Sequence, residues 1–337
     1  YVWSNSFFAH SLTSSLMLIL FCSCFSFAFN YETKIFQKNS FNIFFNSFIV
    51  GTLFSIEIQS LIPSLFIFIS SLLIYIKLNN RIISLPSICS LLFYSLIGFL
   101  LAYIPSMIYY IQIYGSPFYI SYSNVVGFDG MKEGFFGLTS FDMGKLYELL
   151  FGSYRGLFFF SPISILYPFG IWFIFSLKPL PRSQRLYIVI VCLMIAAFYL
   201  VLNSSYAYWD GGYSTGPRHI IPLTGILSLP IGAIYDYSIG ISVIALKKYL
   251  EKVMILFLTI SSFLSSLLLS VTAQAPSEYK KPIAQFFLPK ILSLSLESII
   301  NILISLLISY LAFKILTSSS YLKKISNTNT NYQYGSL

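Results

Sequence analysis

The chain has 337 residues, of which 57% are hydrophobic, 19% aromatic and only 9% charged, and its mean hydropathy is +0.79. A soluble globule of this size carries about a quarter charged residues, so the composition excludes one and indicates an all-α, polytopic helical membrane protein. The net charge of +9 does not indicate nucleic-acid binding, because the cations flank apolar runs, as topology anchors do, and form no continuous basic face.

In chain order, apolar runs predict nine transmembrane helices at about 7–29, 41–56, 58–77, 84–112, 156–177, 186–203, 217–237, 253–273 and 289–314. The run from 41 to 77 is too long for one upright span. Glu57 and Gln59 interrupt it, with Pro63 just beyond, so it reads as two short helices and a tight turn. The run 84–112 would be about 43 Å long and must tilt or project. These spans form one transmembrane domain, residues 1–316, followed by a Ser-, Asn- and Thr-rich tail, 317–337, expected to be disordered and cytoplasmic.

The cations orient the helices. One set of loops holds Lys34, Lys38, Lys77, Arg81, Lys178, Arg182, Arg185, Lys247, Lys248, Lys252, Lys314, Lys323 and Lys324. The other holds Lys132, Lys145, Arg155, Arg218, Lys280, Lys281 and Lys290. The larger set belongs in the cytoplasm, which leaves loops 113–155, 204–216 and 274–288 outside. Most acids, Glu57, Asp129, Glu133, Asp142, Glu148, Asp210 and Glu278, then face outward too. Loop 113–155 is long, aromatic and glycine-punctuated, as functional loops are. A helix near 142–151 is expected to lie at the interface, with Leu146, Leu149 and Leu150 on the membrane and Asp142 and Lys145 in water. Cys22, Cys24, Cys89 and Cys192 fall inside predicted spans and read as ordinary buried thiols, with no disulfide framework and no metal site.

Two external stretches concentrate the chemistry. Tyr206–Pro222 packs Tyr206, Tyr208, Trp209, Asp210, Tyr213, Arg218 and His219 among glycines, and Arg155 sits in Phe151-Gly152-Ser153-Tyr154-Arg155-Gly156. Arginine offers a planar two-pronged donor to phosphate. Arg218 and Arg155, with His219 beside the former, are therefore candidates for binding a lipid phosphate, against the alternative that each reaches lipid headgroups. Tyr208, Trp209 and Tyr213 suit stacking on a sugar or an interfacial aromatic belt. Asp210 suits a sugar hydroxyl, a metal ion or a turn. Glu57, a carboxylate between two apolar helices, is costly unless it reaches water or a partner. His10 reads as a polar residue near a helix end. No Walker loop, nucleophile elbow or zinc-protease motif is present.

Four segments together resemble bacterial polytopic glycosyltransferases of the C-type (GT-C) superfamily, which includes protein O-mannosyltransferase-like and lipid A aminoarabinose transferase-like enzymes. They are Trp3-Ser4-Asn5-Ser6-Phe7-Phe8-Ala9-His10; Gly51 through Glu57; Tyr114-Gly115-Ser116-Pro117 with Phe151 to Phe158 and Ser161-Pro162; and Trp209-Asp210-Gly211-Gly212 followed by Gly216-Pro217-Arg218-His219. The resemblance implies inverting transfer of a sugar from a polyprenyl-phosphate donor to an acceptor at the external face of a bacterial inner membrane. It implies Arg218, Arg155 and His219 at the lipid phosphate, and Tyr208, Trp209, Asp210 and Tyr213 at the sugar or acceptor. The partners it implies are membrane lipids and the lipid-linked donor. It fixes no cofactor and leaves a divalent metal open. In this superfamily the catalytic acid lies in the first external loop. The chain opens externally at Tyr1 and without Met, so that acid is expected upstream of Tyr1 in a longer protein, with Glu57, Asp129 and Asp210 as substitutes within this chain. A transporter or flippase for a lipid-linked saccharide, or a non-catalytic scaffold, are the alternatives.

Overall fold

The computed structural model describes residues 2–29, 39–78, 85–118, 129–176, 180–212, 216–240, 256–257, 260–261, 278–289, 299–300, 303 and 307. The described helices are α1 (Val2–Ala28), α2 (Asn39–Ile56), α3 (Leu61–Leu78), α4 (Leu85–Tyr114), α5 (Met143–Phe151), α6 (Leu157–Phe160), α7 (Tyr167–Ser176), α8 (Arg182–Ser204) and α9 (Ile221–Gly240). Short 3-10 turns and one π-helical turn, Ile283–Phe287, accompany them. Four stretches are long and apolar enough to cross a membrane: Ala9–Ala28, Ile58–Leu78, Pro86–Tyr114 and Arg182–Ser204. Three more expected spans correspond to apolar but shorter helices, Ser40–Ile56, Pro162–Phe175 and Arg218–Ile234. The expected spans 253–273 and 289–314 lie outside the described residues but for a few positions, and the tail 317–337 lies outside them entirely.

Local sequence explains where the helices break. Glu57 leaves the helical region (φ −152°, ψ 107°), and a 3-10 turn, Ile58–Ser60, leads into α3, so 41–77 is two helices joined by a tight turn, as its polar interruption predicts. The expected single span 156–177 is interrupted. Ser161, which precedes Pro162, sits at φ −135°, ψ 75°, ending α6, and a 3-10 turn, Pro162–Leu166, re-starts the chain into α7. Pro217 stands just ahead of a 3-10 turn, Arg218–Ile220, that opens α9.

Helix α1 is the central element, packed against α2, α3 and α9, while α8 covers α3 and α7. Met17, Leu20 and Cys24 of α1 meet Leu53 of α2, Ile67 of α3, Val191 and Ile195 of α8 and Ile226 of α9 in one core. Helix α4 lies outside this core and holds to the bundle chiefly through α2. Gly51 and Gly98 allow that contact: a Cβ at Gly51 would stand 2.5 Å from the Phe99 carbonyl oxygen, and one at Gly98 would strike the carbonyl of Phe44. Between apolar helices in lipid, such small residues permit the close backbone approach that drives association. Polar groups add to it. Ser14 Oγ of α1 lies 3.0 Å from Thr224 Oγ1 and accepts the Gly225 N–H at 2.8 Å, and the Tyr187 hydroxyl donates to the Ile67 carbonyl at 3.2 Å. The many serines are compatible with apolar spans because their hydroxyls return to carbonyls of their own helix, as Ser55 does to Gly51 at 2.9 Å and Ser71 to Phe68 at 2.7 Å.

At one end of the bundle, two connecting segments are laced into a cap. Thr139 N–H donates to Ser205 O (2.7 Å), Ala207 N–H to Gly137 O (2.8 Å) and Asp142 N–H to Ser204 O (3.2 Å). Leu138 and Tyr206 form an isolated antiparallel bridge. Asp142 caps α5 by accepting from Gly144 and Lys145 N–H. The expected face of α5 is only partly as observed: Leu149 is 0% exposed, while Met143, Tyr147 and Phe151 are the exposed apolar side chains. Helix α5 packs against α8, where the cap holds it over the end of that helix.

Candidate functional site

The site lies under this cap, where the start of α1, the α2–α3 break, the segment before α6 and the start of α9 converge. It has an outer, cationic part and an inner part that holds a carboxylate.

The outer part is built on Arg155. Gly156 N–H bonds back to Gly152 O at 2.7 Å, and this tight turn aims Tyr154 and Arg155 beneath residues 206–212. Arg155 is 0% exposed. Its Nε donates to Asp210 O and its Nη2 to Gly212 O, both at 2.6 Å, and Nη2 also reaches the Tyr154 hydroxyl at 3.2 Å. The Tyr154 hydroxyl donates to Asp210 Oδ2 at 2.7 Å, and Asp210 Oδ1 accepts Gly212 N–H at 3.1 Å. Burial lowers the Arg155 guanidinium below its ordinary value, against the opposing charges of Tyr154 and Asp210. Burial alone would raise Asp210. The hydrogen bonds from Tyr154 and Gly212, with the charges of Arg155 and Lys280, hold it below the ordinary carboxylate value. Burial and the bond to Asp210 push the Tyr154 hydroxyl up to about 12.

Arg218 completes the outer part. Gly211, at φ +72°, takes a backbone conformation suited to glycine, and a Cβ there would stand 2.9 Å from Arg218 Cγ. The Arg218 stem therefore lies on the bare backbone of Gly211, half-buried at the site, close enough for its charge to act on Arg155. Lys280 Nζ lies 4.3 Å from the centre of the Tyr154 ring, and its charge also acts on Asp210. Arg155 and Lys280 thus act on Asp210 and Arg218 stands close to Arg155, an excess of positive charge at one end of an apolar bundle.

The inner part joins residues far apart in sequence. His10 Nδ1 lies 3.1 Å from Glu57 Oε1, and the two side chains are 11% and 10% exposed. The Gln59 amide donates to the same Glu57 oxygen, whereas Glu57 Oε2 is buried without a hydrogen-bond partner. The His10 ring stands edge-on to His219 at 5.6 Å, and His219 edge-on to Tyr206 at 5.7 Å. Tyr199 of α8 lies within reach of the Glu57 charge, and Asn203 Nδ2 donates to Tyr199 O at 2.7 Å.

Of the residues singled out in the sequence, Arg155, Asp210, Arg218, His219 and Glu57 come together here. Tyr208 serves the cap, its hydroxyl accepting Gly130 N–H at 3.1 Å. Trp209 stands edge-on to Tyr154 at 6.1 Å. Asp129 lies apart, 87% exposed and paired with Lys132 at 2.8 Å. Tyr213 lies outside the described residues. His10, Gln59 and Tyr199 are additions that sequence reasoning did not place at the site. The available signal for His10 was topological: it stands in the first part of α1, at the end of the bundle where Glu57 follows the last residue of α2. Among the described residues no group of three His, Cys, Asp or Glu side chains is arranged to hold a metal ion.

Compared with known protein families, curated proteins and solved structures, the chain matches none. Sequence and fold together establish a helical protein with four candidate membrane spans among its described residues.

Proposed function

We propose that the protein transfers a sugar from a polyprenyl-phosphate donor to an acceptor at the membrane surface, with inversion at the anomeric carbon. The observation that carries this reading is the excess of cations at one end of an apolar bundle, where Arg155 and Lys280 act on Asp210 and Arg218 stands beside Arg155. A donor with a long hydrocarbon tail and a phosphate head fits such a boundary: the tail stays in lipid while the head meets fixed positive charge. The arginines divide the work. Arg155 spends its donors on the carbonyls of Asp210 and Gly212 and so shapes the loop, while Arg218, laid on Gly211, meets the phosphate. As the glycosidic bond breaks, charge grows on the departing phosphate oxygen, and a preorganised guanidinium stabilises it most at that moment. Trp209, Tyr206 and His219 supply ring faces and edges for the sugar.

The test is sugar transfer by the protein in lipid nanodiscs, with a pool of radiolabelled undecaprenyl-phosphate hexoses as donor and the envelope fraction of producing cells as acceptor. The wild type moves label to the acceptor. Arg218→Ala, correctly inserted, loses it by about 10–100-fold, the value of a charged hydrogen bond or two. Equal transfer by Arg218→Ala contradicts the role given to this residue.

A further inference from the structure

We infer that Glu57 is the base that takes the acceptor's proton, and that His10 holds it in position; this rests on the sugar-transfer reading above. An inverting transfer needs a group to accept the proton of the attacking hydroxyl, and the geometry of the inner site points to one residue.

Glu57 is a carboxylate set at a break between two apolar helices, with its side chain only 10% exposed. Placing a carboxylate there is expensive unless it is paired or used. Its two oxygens are treated differently. Oε1 faces His10 Nδ1 at 3.1 Å and accepts from the Gln59 amide. Oε2, equally buried, has no partner. One oxygen engaged by Gln59 and close to His10, and the other buried without a partner, is the arrangement of a base that is oriented through one lone pair and works through another.

The surroundings agree. His10 comes from α1, Glu57 from the α2–α3 break, and Tyr199, 0% exposed with its hydroxyl unpartnered, from α8. Three helices thus wall the carboxylate. The way from it toward the cationic outer part leads past the edges of two imidazoles, His10 and His219, 5.6 Å apart. His219 adjoins Arg218, the residue given to the donor phosphate. Base and phosphate-binding group therefore occupy the two ends of one polar tract. An inverting displacement needs this relation: the nucleophile enters on one face of the sugar as the phosphate leaves from the other.

The step balances without any further reagent. Glu57 Oε2 takes the hydroxyl proton of the acceptor. The acceptor oxygen forms a bond to the anomeric carbon. The bond from that carbon to the phosphate oxygen breaks, and its electron pair remains on that oxygen beside Arg218. The products are an inverted glycoside and polyprenyl phosphate. The proton on Glu57 then returns to water, and His10, across Oε1, keeps the carboxylate aimed throughout.

Three measurements on the full chain in nanodiscs test this, using the same hexose-carrier pool and undecaprenyl phosphate as the binding probe. Glu57→Gln keeps size and hydrogen bonding but cannot accept a proton. Its turnover is expected to fall by about 10²–10⁴-fold, while undecaprenyl phosphate binds as in the wild type. Glu57→Ala is expected to be inactive and to regain turnover in sodium formate, whose small carboxylate replaces the missing base; a turn-pinning role would not be restored this way. His10→Gln is expected to lower kcat with little change in KM for the donor. Full turnover by Glu57→Gln, loss of carrier binding together with turnover, or failure of formate to restore Glu57→Ala would each overturn the assignment while leaving sugar transfer standing. A wild type that binds the carrier yet transfers no sugar overturns the sugar-transfer reading and, with it, the base.

Discussion

At the scale of single residues, the two arginines are the instructive pair. In the sequence Arg155 and Arg218 are alike: each has glycine neighbours, precedes an apolar run and stands in an aromatic segment. Packing separates them. Arg155 is fully buried and bonds to two backbone carbonyls; Arg218 is half-buried against Gly211. Nothing local in the sequence could assign these roles, because the backbone carbonyls that Arg155 bonds lie more than fifty positions away. Arg155→Met removes the donors to the Asp210 and Gly212 carbonyls, so it should cost about 1–3 kcal/mol of stability for each buried carbonyl left unsatisfied. Thermal unfolding in detergent checks this, and Arg155→Lys should recover little, since an ammonium cannot span both carbonyls as a fork. Asp210 adds a pH signature. Its value is lower in the fold than its ordinary 3.8, so the stability it contributes is fully present above 3.8 and is lost as the pH falls from there through the depressed value. Trp209 fluorescence, read in a Trp3→Phe, Trp172→Phe background, should stay constant from neutral pH down to that range and change below it. Asp210→Asn should abolish that dependence.

At the scale of elements, the sequence was most legible where chemistry interrupts an apolar run. Glu57 and Gln59 mark the α2–α3 break, and the helix before it ends at Ile56 as expected. Pro162 marks a subtler break, which the apolar run around it concealed. The cap was less legible because it is made of backbone pairing between segments about 66–70 residues apart, such as Thr139 with Ser205 and Ala207 with Gly137, and backbone groups carry no sequence signature. Helix α5 shows the consequence: its leucines suited a membrane surface as well as a protein surface, and only its attachment over α8 decides for protein. The α2–α4 contact gives the test at this scale. Gly98→Leu forces a side chain onto the Phe44 carbonyl and should destabilise by about 1–3 kcal/mol, or detach α4. Disulfide trapping between cysteines placed on α2 and α4 would detect the separation, and a Gly98→Leu protein that traps as efficiently as the parent would refute the close-packing account.

For the whole molecule, the broad class was readable from composition and apolar runs, since a typical soluble globule carries about a quarter charged residues and this chain only 9%. The number of spans was less so. Four described stretches have the length and hydropathy to cross a membrane and three are shorter; the break at Pro162 divides the expected span 156–177 into a short helix, a turn and a second helix. What the fold adds is convergence: His10, Glu57, Arg155, Asp210, Arg218 and His219, drawn from across the first 219 positions, meet at one end of the bundle. The central claim is that this end receives a polyprenyl phosphate. The most direct measurement is the affinity of undecaprenyl phosphate for the wild type and for Arg218→Ala, both in nanodiscs, by native mass spectrometry. Saturable binding that weakens by about 10–100-fold in the variant is the predicted result. Equal binding by the two proteins, or none by either, would contradict it.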